Sequence, residues 1–264
     1  MPATAVLAHG GADHLALGLV AAALVAIYGW AWVCAGGSDL RRLAAWVGGV
    51  GLVLAASLPF MERLAGRSFT GHMVQHLLVI VLAAPLLVVA EPLAALQRGR
   101  IVPPTAAGRR LGRWWRRWAA VVAPLVFVGV LYATHLSDIY DAALGDRLLH
   151  EAEHAAYLAG AVMIWAAVLG RRRANALGRL GVAFAVTAGG ALLGMILISA
   201  PEPLIPTYVV RLGAAEALAD QRRAAALMWV TGMLTTLPLL VIAVWRWARA
   251  EERAAHRTEA LLEP

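Results

Sequence analysis

Apolar residues run along this chain in long, nearly uninterrupted stretches rather than in alternation with polar ones. Seven stretches stand out, at roughly 14–36, 43–61, 72–97, 117–136, 148–170, 178–200 and 223–247. Each is close to the about 20 mostly apolar residues that a helix needs to cross a bilayer. A helix that is apolar all round belongs in lipid or in a deep core. The connections are short, so the seven stretches use nearly the whole chain. The pattern predicts an all-α integral membrane protein, with seven transmembrane helices in a single domain over residues 1–264.

Composition agrees. The sequence is 61% hydrophobic, with a mean hydropathy of +0.71. A soluble domain is nearer about 45–50% apolar. The segment ahead of the first stretch, MPATAVLAHGGADH, has no positive n-region, so the first span is expected to act as its own targeting signal.

Charge orients the spans. The net charge is +7, and all 23 basic residues are arginine. They sit at span ends, which argues against nucleic acid as a partner and for a lipid bilayer. Taking the connections alternately puts 17 arginines on one side and 6 on the other. Cytoplasmic loops carry the excess of Lys and Arg. The N-terminus is therefore expected outside and the C-terminus in the cytoplasm of a bacterial cell membrane. Trp114, Trp115, Trp118, Trp245 and Trp247 then join a cytoplasmic-side aromatic belt. Cys34 is the single cysteine, too few for an internal disulfide or a CxxC metal site.

With this topology the histidines converge. His72 and His76 open the third span, His135 closes the fourth, and His150 and His154 open the fifth, all at outer ends. His9 and His14 fall on the same side, in or beside the N-terminal tail, and His256 in the cytoplasm. Residues four apart share a helix face, so each HxxxH pair aims two imidazoles at one point. Imidazole suits zinc, copper, iron and nickel, and thioether favours Cu(I). Met73 and Met228 are candidate soft ligands. Glu151, Glu153 and Asp220 are candidate partners for the second ring nitrogen of a ligating histidine. Asp220, read at the start of the seventh span, is equally suited to capping that helix. Ionisable groups inside spans are functional candidates by default, although a lone histidine at a span end is more often interfacial.

Other motifs frame the alternatives. HEAEH matches the zinc metalloprotease pattern H-E-x-x-H, with Glu151 as general base. Bis-histidine haem ligation would use facing helices. Without lysine, no retinal Schiff base can form. SAPEPLIPTY carries three prolines in six residues and should stop the sixth span in a stiff loop. The glycine pairs Gly48–Gly49 and Gly189–Gly190 are expected to permit close helix packing.

The segments HMVQHLLVIVLAAPLLVVAEPL, THLSDIYDAALGDRLLHEAEHAAYLAGAVMIWAAV, LISAPEPLIPTY and DQRRAAALMW resemble the CtaG family of assembly factors of the caa-type cytochrome c oxidases. The resemblance covers roughly two-thirds of the chain, over spans three to seven. It implies a seven-helix membrane protein that helps copper reach the oxidase. The motifs that match hold His72, Met73, His76, His135, His150 and His154, and then Asp220, Gln221, Met228 and Trp229. The leading expectation is a copper-binding, non-enzymatic metallochaperone for Cu(I), with oxidase subunits or other copper proteins as partners. A copper transporter, an intramembrane zinc enzyme and a haem-binding protein are the alternatives.

Overall fold

The computed structural model describes residues 10–171 and 173–260. His9 lies outside the described residues, as do the side chains of His14, Trp247 and His256. Every regular element among the described residues is helical. In chain order they are α1 (Gly10–Cys34), α2 (Leu40–Ala56), α3 (Pro59–Arg67), α4 (Phe69–Leu77), a π-helical stretch (Leu78–Ala83), α5 (Ala84–Ala90) and α6 (Pro92–Arg98). There follow α7 (Ala106–His135), α8 (Ile139–Ala143), α9 (Arg147–Val168), α10 (Ala176–Ser199), α11 (Pro206–Leu212) and α12 (Ala214–Ala260).

Among the described residues, four continuous helical runs are long and apolar enough to cross a membrane: Leu15–Cys34, Phe69–Arg98, Ala106–His135 and Ala176–Ser199. The bent pair α2 and α3 raises the number to five. The fifth predicted stretch forms the 22-residue α9, but its first two turns carry His150, Glu151, Glu153 and His154, which lower its apolar character. The seventh lies inside α12, a helix of 47 residues. At 1.5 Å per residue it runs about 70 Å, far more than the about 30 Å of a hydrocarbon core.

Local chemistry sets the other departures from the sequence pattern. The second stretch breaks after Ala56 and bends by 51°, because Pro59 occupies the first turn of a new helix and cannot continue the old one. The third stretch is one path with two irregularities. A π turn occupies Leu78–Ala83, where the indole of Trp165 donates to the Ile80 carbonyl at 2.8 Å. Glu91 adopts a left-handed conformation with φ 51°, ahead of Pro92, which disfavours the helical region for its predecessor. The arginine-rich connection after the third stretch is a loop only up to Thr105. It is helical from Ala106, with Thr105 accepting the Gly108 amide at 3.0 Å, and it lengthens α7 to 30 residues.

The bundle centres on α4, α7, α9, α10 and α12. α12 packs against α10 and α4, α7 against α9 and α10, and α5 against α2 and α9, while α1 sits at the edge on α2 and α6. Of the glycine pairs, Gly48 and Gly49 face Leu86 and Leu87 of α5, and a Cβ on Gly49 would come within 2.8 Å of Leu87. Gly189 faces Val128 equally closely, but nothing lies within 4 Å of a Cβ on Gly190. One glycine of that second pair serves packing, and the other borders a cavity.

Candidate metal centre

The end of the bundle where α4 and α9 begin and α7 ends is built by polar contacts between elements distant in sequence. Ser68 caps α4 by accepting the Gly71 amide at 3.0 Å. Asp220 reaches from α12 to the same turn. Its Oδ2 accepts the Phe69 amide at 2.6 Å, and its Oδ1 accepts the Thr70 hydroxyl at 2.6 Å. Gly71 lets α4 approach α3, since a Cβ there would lie 2.3 Å from the Leu64 carbonyl oxygen. One turn further on, the Gln75 amide donates to the Ala56 carbonyl at 2.7 Å and ties α4 to the end of α2. α9 is capped by Asp146, which accepts the Leu149 amide at 3.1 Å.

These contacts fix the histidines of α4 against those of α9. The rings of His72 and His76 stack with centroids 4.4 Å apart, and those of His150 and His154 lie 4.5 Å apart. Across the interface the centroids are 5.3 Å apart for His72 and His150, and 4.9 Å for His76 and His154. Glu153 projects between the pairs. Its oxygens lie 3.8 Å from His72 Nε2 and 3.8 Å from His76 Nε2. His72, His76, His135 and Glu153 are buried, and His150 and His154 are half-buried.

His135 enters from α7. Its Nδ1 lies 2.9 Å from the Leu131 carbonyl oxygen. A carbonyl can only accept, so Nδ1 carries the proton and Nε2 keeps its lone pair. The Tyr157 hydroxyl lies 3.1 Å from the same Nδ1 and 2.5 Å from the Thr134 hydroxyl. The Tyr157 ring also faces His76, with centroids 4.4 Å apart, and Tyr140 of α8 faces His72 at 4.6 Å. Burial pushes the phenols of Tyr140 and Tyr208, in the two short connecting helices, above their ordinary value. Both stay protonated: Tyr140 walls the site, and Tyr208 stacks on Phe69 and donates to the Ala65 carbonyl.

Eight buried ring nitrogens and carboxylate oxygens of the histidines and Glu153 have no hydrogen-bond partner among the described residues. They are both ring nitrogens of His72, Nε2 of His76, His135 and His154, Nδ1 of His150, and both oxygens of Glu153. Each such atom costs about 1–3 kcal/mol. Imidazole lone pairs and a carboxylate are the donor set of a d-block metal ion. One ligand atom each from His72, His76 and His154 lie within 4.8 Å of one another, and so do those of His72, His150 and Glu153. Atoms bound to one ion at about 2.0 Å lie at most about 4 Å apart. Both triads are thus within about an ångström of ligating distance, and they share His72.

The remaining candidates sit elsewhere. Glu151 is half-buried and takes part in neither triad. Asp220 is six residues inside α12, because that helix starts at Ala214. It caps α4 and not its own helix, and so positions His72 and His76 from behind. Met73 and Met228 are buried and border an apolar cavity of about 100 Å³, which His76 and His135 also border. Gln221 holds the proline-rich connection, accepting the Leu204 amide at 2.8 Å and donating to the Leu197 carbonyl at 3.0 Å. The third proline of that connection, Pro206, opens α11. Sequence reasoning missed Tyr157 and Tyr140. Tyr157 was within reach, seven residues after His150 and hence on the same face of α9.

A helical membrane protein with a buried histidine–carboxylate cluster at one end of its bundle is thereby defined. Over residues 14–250 the chain matches the cytochrome c oxidase caa3 assembly factor family, and it belongs to that family. It is also similar to uncharacterized proteins of Mycobacterium bovis and Mycobacterium tuberculosis, each 26% identical over 237 residues, which cover 83% of this chain and 36% of theirs. A Mycobacterium leprae relative is 25% identical over the same extent. The chain thus spans about a third of the length of the curated relatives it matches. No solved structure matches it.

Proposed function

We propose that this member of the assembly-factor family holds copper on the cluster of His72, His76, His135, His150 and His154 and passes it to the oxidase or to another copper protein. The observation that carries this reading is the set of buried, unpartnered imidazole nitrogens around Glu153. Copper is here cargo. A site for cargo must capture the ion and release it, and neutral imidazoles do this more readily than four thiolates would. The shared His72 gives the cluster two adjacent triads, so an ion moves between them by exchanging ligands one at a time. Met73 and Met228, on the cavity beside His76 and His135, favour Cu(I) over harder ions. Glu153 offsets the positive charge of the ion in a setting that excludes water.

The topology that serves this role has seven spans, an outside N-terminus and a cytoplasmic C-terminus in a bacterial cell membrane. α9 and the central part of α12 supply the two further crossings, and copper enters from the outer face. The charge asymmetry of 17 arginines against 6 supports this orientation. The role is non-enzymatic. The zinc-protease alternative requires Glu151 at the metal as general base, whereas it is Glu153 that lies between the histidine pairs.

The test is a Cu(I) competition titration of the purified protein against a chromogenic chelator, with Zn(II) in parallel. Cu(I) should bind with at most two ions per chain and displace Zn(II). Binding of Zn(II) alone, with peptidase activity, would replace this reading by the hydrolytic one. A Soret band in the purified protein would replace it by haem binding.

A further inference from the structure

A crevice of about 880 Å³, which none of the histidines lines, separates α1 and α2 from α7 and α9, with Leu87 and Val88 of α5 along its base. Its wall on α9 is the stripe Leu158, Val162 and Ala166, one residue per turn on a single face, continued by Gly170 just past the helix end. Leu158 and Ala166 are eight positions apart, about 12 Å along the helix, and Gly170 extends the wall beyond it. That is close to the about 15 Å that one leaflet contributes to a hydrocarbon core of about 30 Å.

One end of the crevice is cationic. Arg116 and Arg171 line it, both exposed. The one carboxylate that lines it, Glu91, accepts from Arg42 at 2.5 Å and lies 3.7 Å from Arg171. Glu91 is fixed there by its left-handed backbone and neutralised by Arg42, so positive charge remains over. Trp115 and Trp46 also line the crevice, and indoles favour the level of lipid head groups. Arginine pairs with phosphate through two parallel hydrogen bonds. Basic pockets between membrane helices recognise anionic head groups.

We propose that this crevice is a specific site for one anionic phospholipid from the leaflet on the arginine-rich side. Its phosphate lies against Arg116 and Arg171, and one acyl chain follows the stripe from Gly170 towards Leu158. The lipid fills the space between the edge pair α1–α2 and the bundle that carries the histidines.

Native mass spectrometry of the full chain, titrated in mild detergent with phosphatidylglycerol or phosphatidylcholine, tests this. One phosphatidylglycerol per chain should survive activation that strips phosphatidylcholine. The R116Q/R171Q variant should retain at least ten-fold less, and R109Q/R110Q, on the same helix but outside the crevice, should match the wild type. Ala166→Trp, which fills the crevice without changing charge, should also lose the lipid while keeping its helical circular dichroism. Equal retention of the two lipids, equal losses in the two arginine pairs, or full retention in Ala166→Trp would overturn the proposal. So would a lipid-free dimer that closes over the crevice.

Discussion

Asp220 on α12 accepts the backbone amide of Phe69 at 2.6 Å, and in doing so anchors the first turn of the helix that carries His72 and His76. The carboxylate does for α4 what an N-cap does, from 151 residues away in sequence. Asp220→Ala should lower stability by about 1–2 kcal/mol, the usual loss for a cap, and weaken metal retention through the displaced α4. Asp220→Asn keeps an acceptor and should lose far less of both. A metal-free Asp220→Asn protein with unchanged thermal unfolding would identify Asp220 as a ligand instead.

Glu153 and Glu151 make a discriminating pair. Glu153 stands 3.8 Å from the Nε2 atoms of His72 and His76, while Glu151 is half-buried outside both triads. Glu153→Gln should cut copper affinity at least ten-fold in the chelator titration, and Glu151→Gln should leave it within a factor of two. The reverse ranking would revive the metalloprotease geometry of HEAEH.

Tyr157 supports the cluster from behind. Its hydroxyl lies 3.1 Å from His135 Nδ1 and its ring lies against His76. Losing an outer partner of a ligating histidine typically costs about 10–100-fold in metal affinity. Because the Leu131 carbonyl still holds the His135 tautomer, Tyr157→Phe should fall at the lower end of that range, with the number of ions bound unchanged. Loss of one whole equivalent would instead make Tyr157 a ligand.

Topology has its own check. Residue 105 precedes the arginine-rich start of α7, and residue 142 lies in α8 beyond its other end. Reporter fusions at the two positions should report opposite sides, with 105 cytoplasmic. The same side for both would remove the orientation proposed for the cluster.

Much of the cluster was legible in the sequence because it depends on local spacing. Residues four apart on a helix share a face whatever surrounds them, and α4 and α9 carry their histidines in that way. What pairs across the site is not a local property. That Glu153 rather than Glu151 lies between the pairs depends on the rotation of α9 against α4. That Asp220 caps α4 depends on α12 starting nine residues ahead of the predicted span. Hydropathy locates apolar runs but is blind to a polar helix that extends them, so the arginine-rich turn of α7 and both ends of α12 read as connections. The bend after Ala56 was signalled by Pro59, yet the apolar run through it hid the break.

X-ray absorption at the copper edge of Cu(I)-loaded protein tests the shared site most directly. The wild type should give imidazole nitrogen scattering from at least two histidines per ion. A variant combining His76→Ala and His154→Ala, one residue from each facing helix, should lose that signal with most of the copper. A copper environment without imidazole, or one that this double variant leaves unchanged, would contradict the claim that the histidines of α4 and α9 form one metal centre.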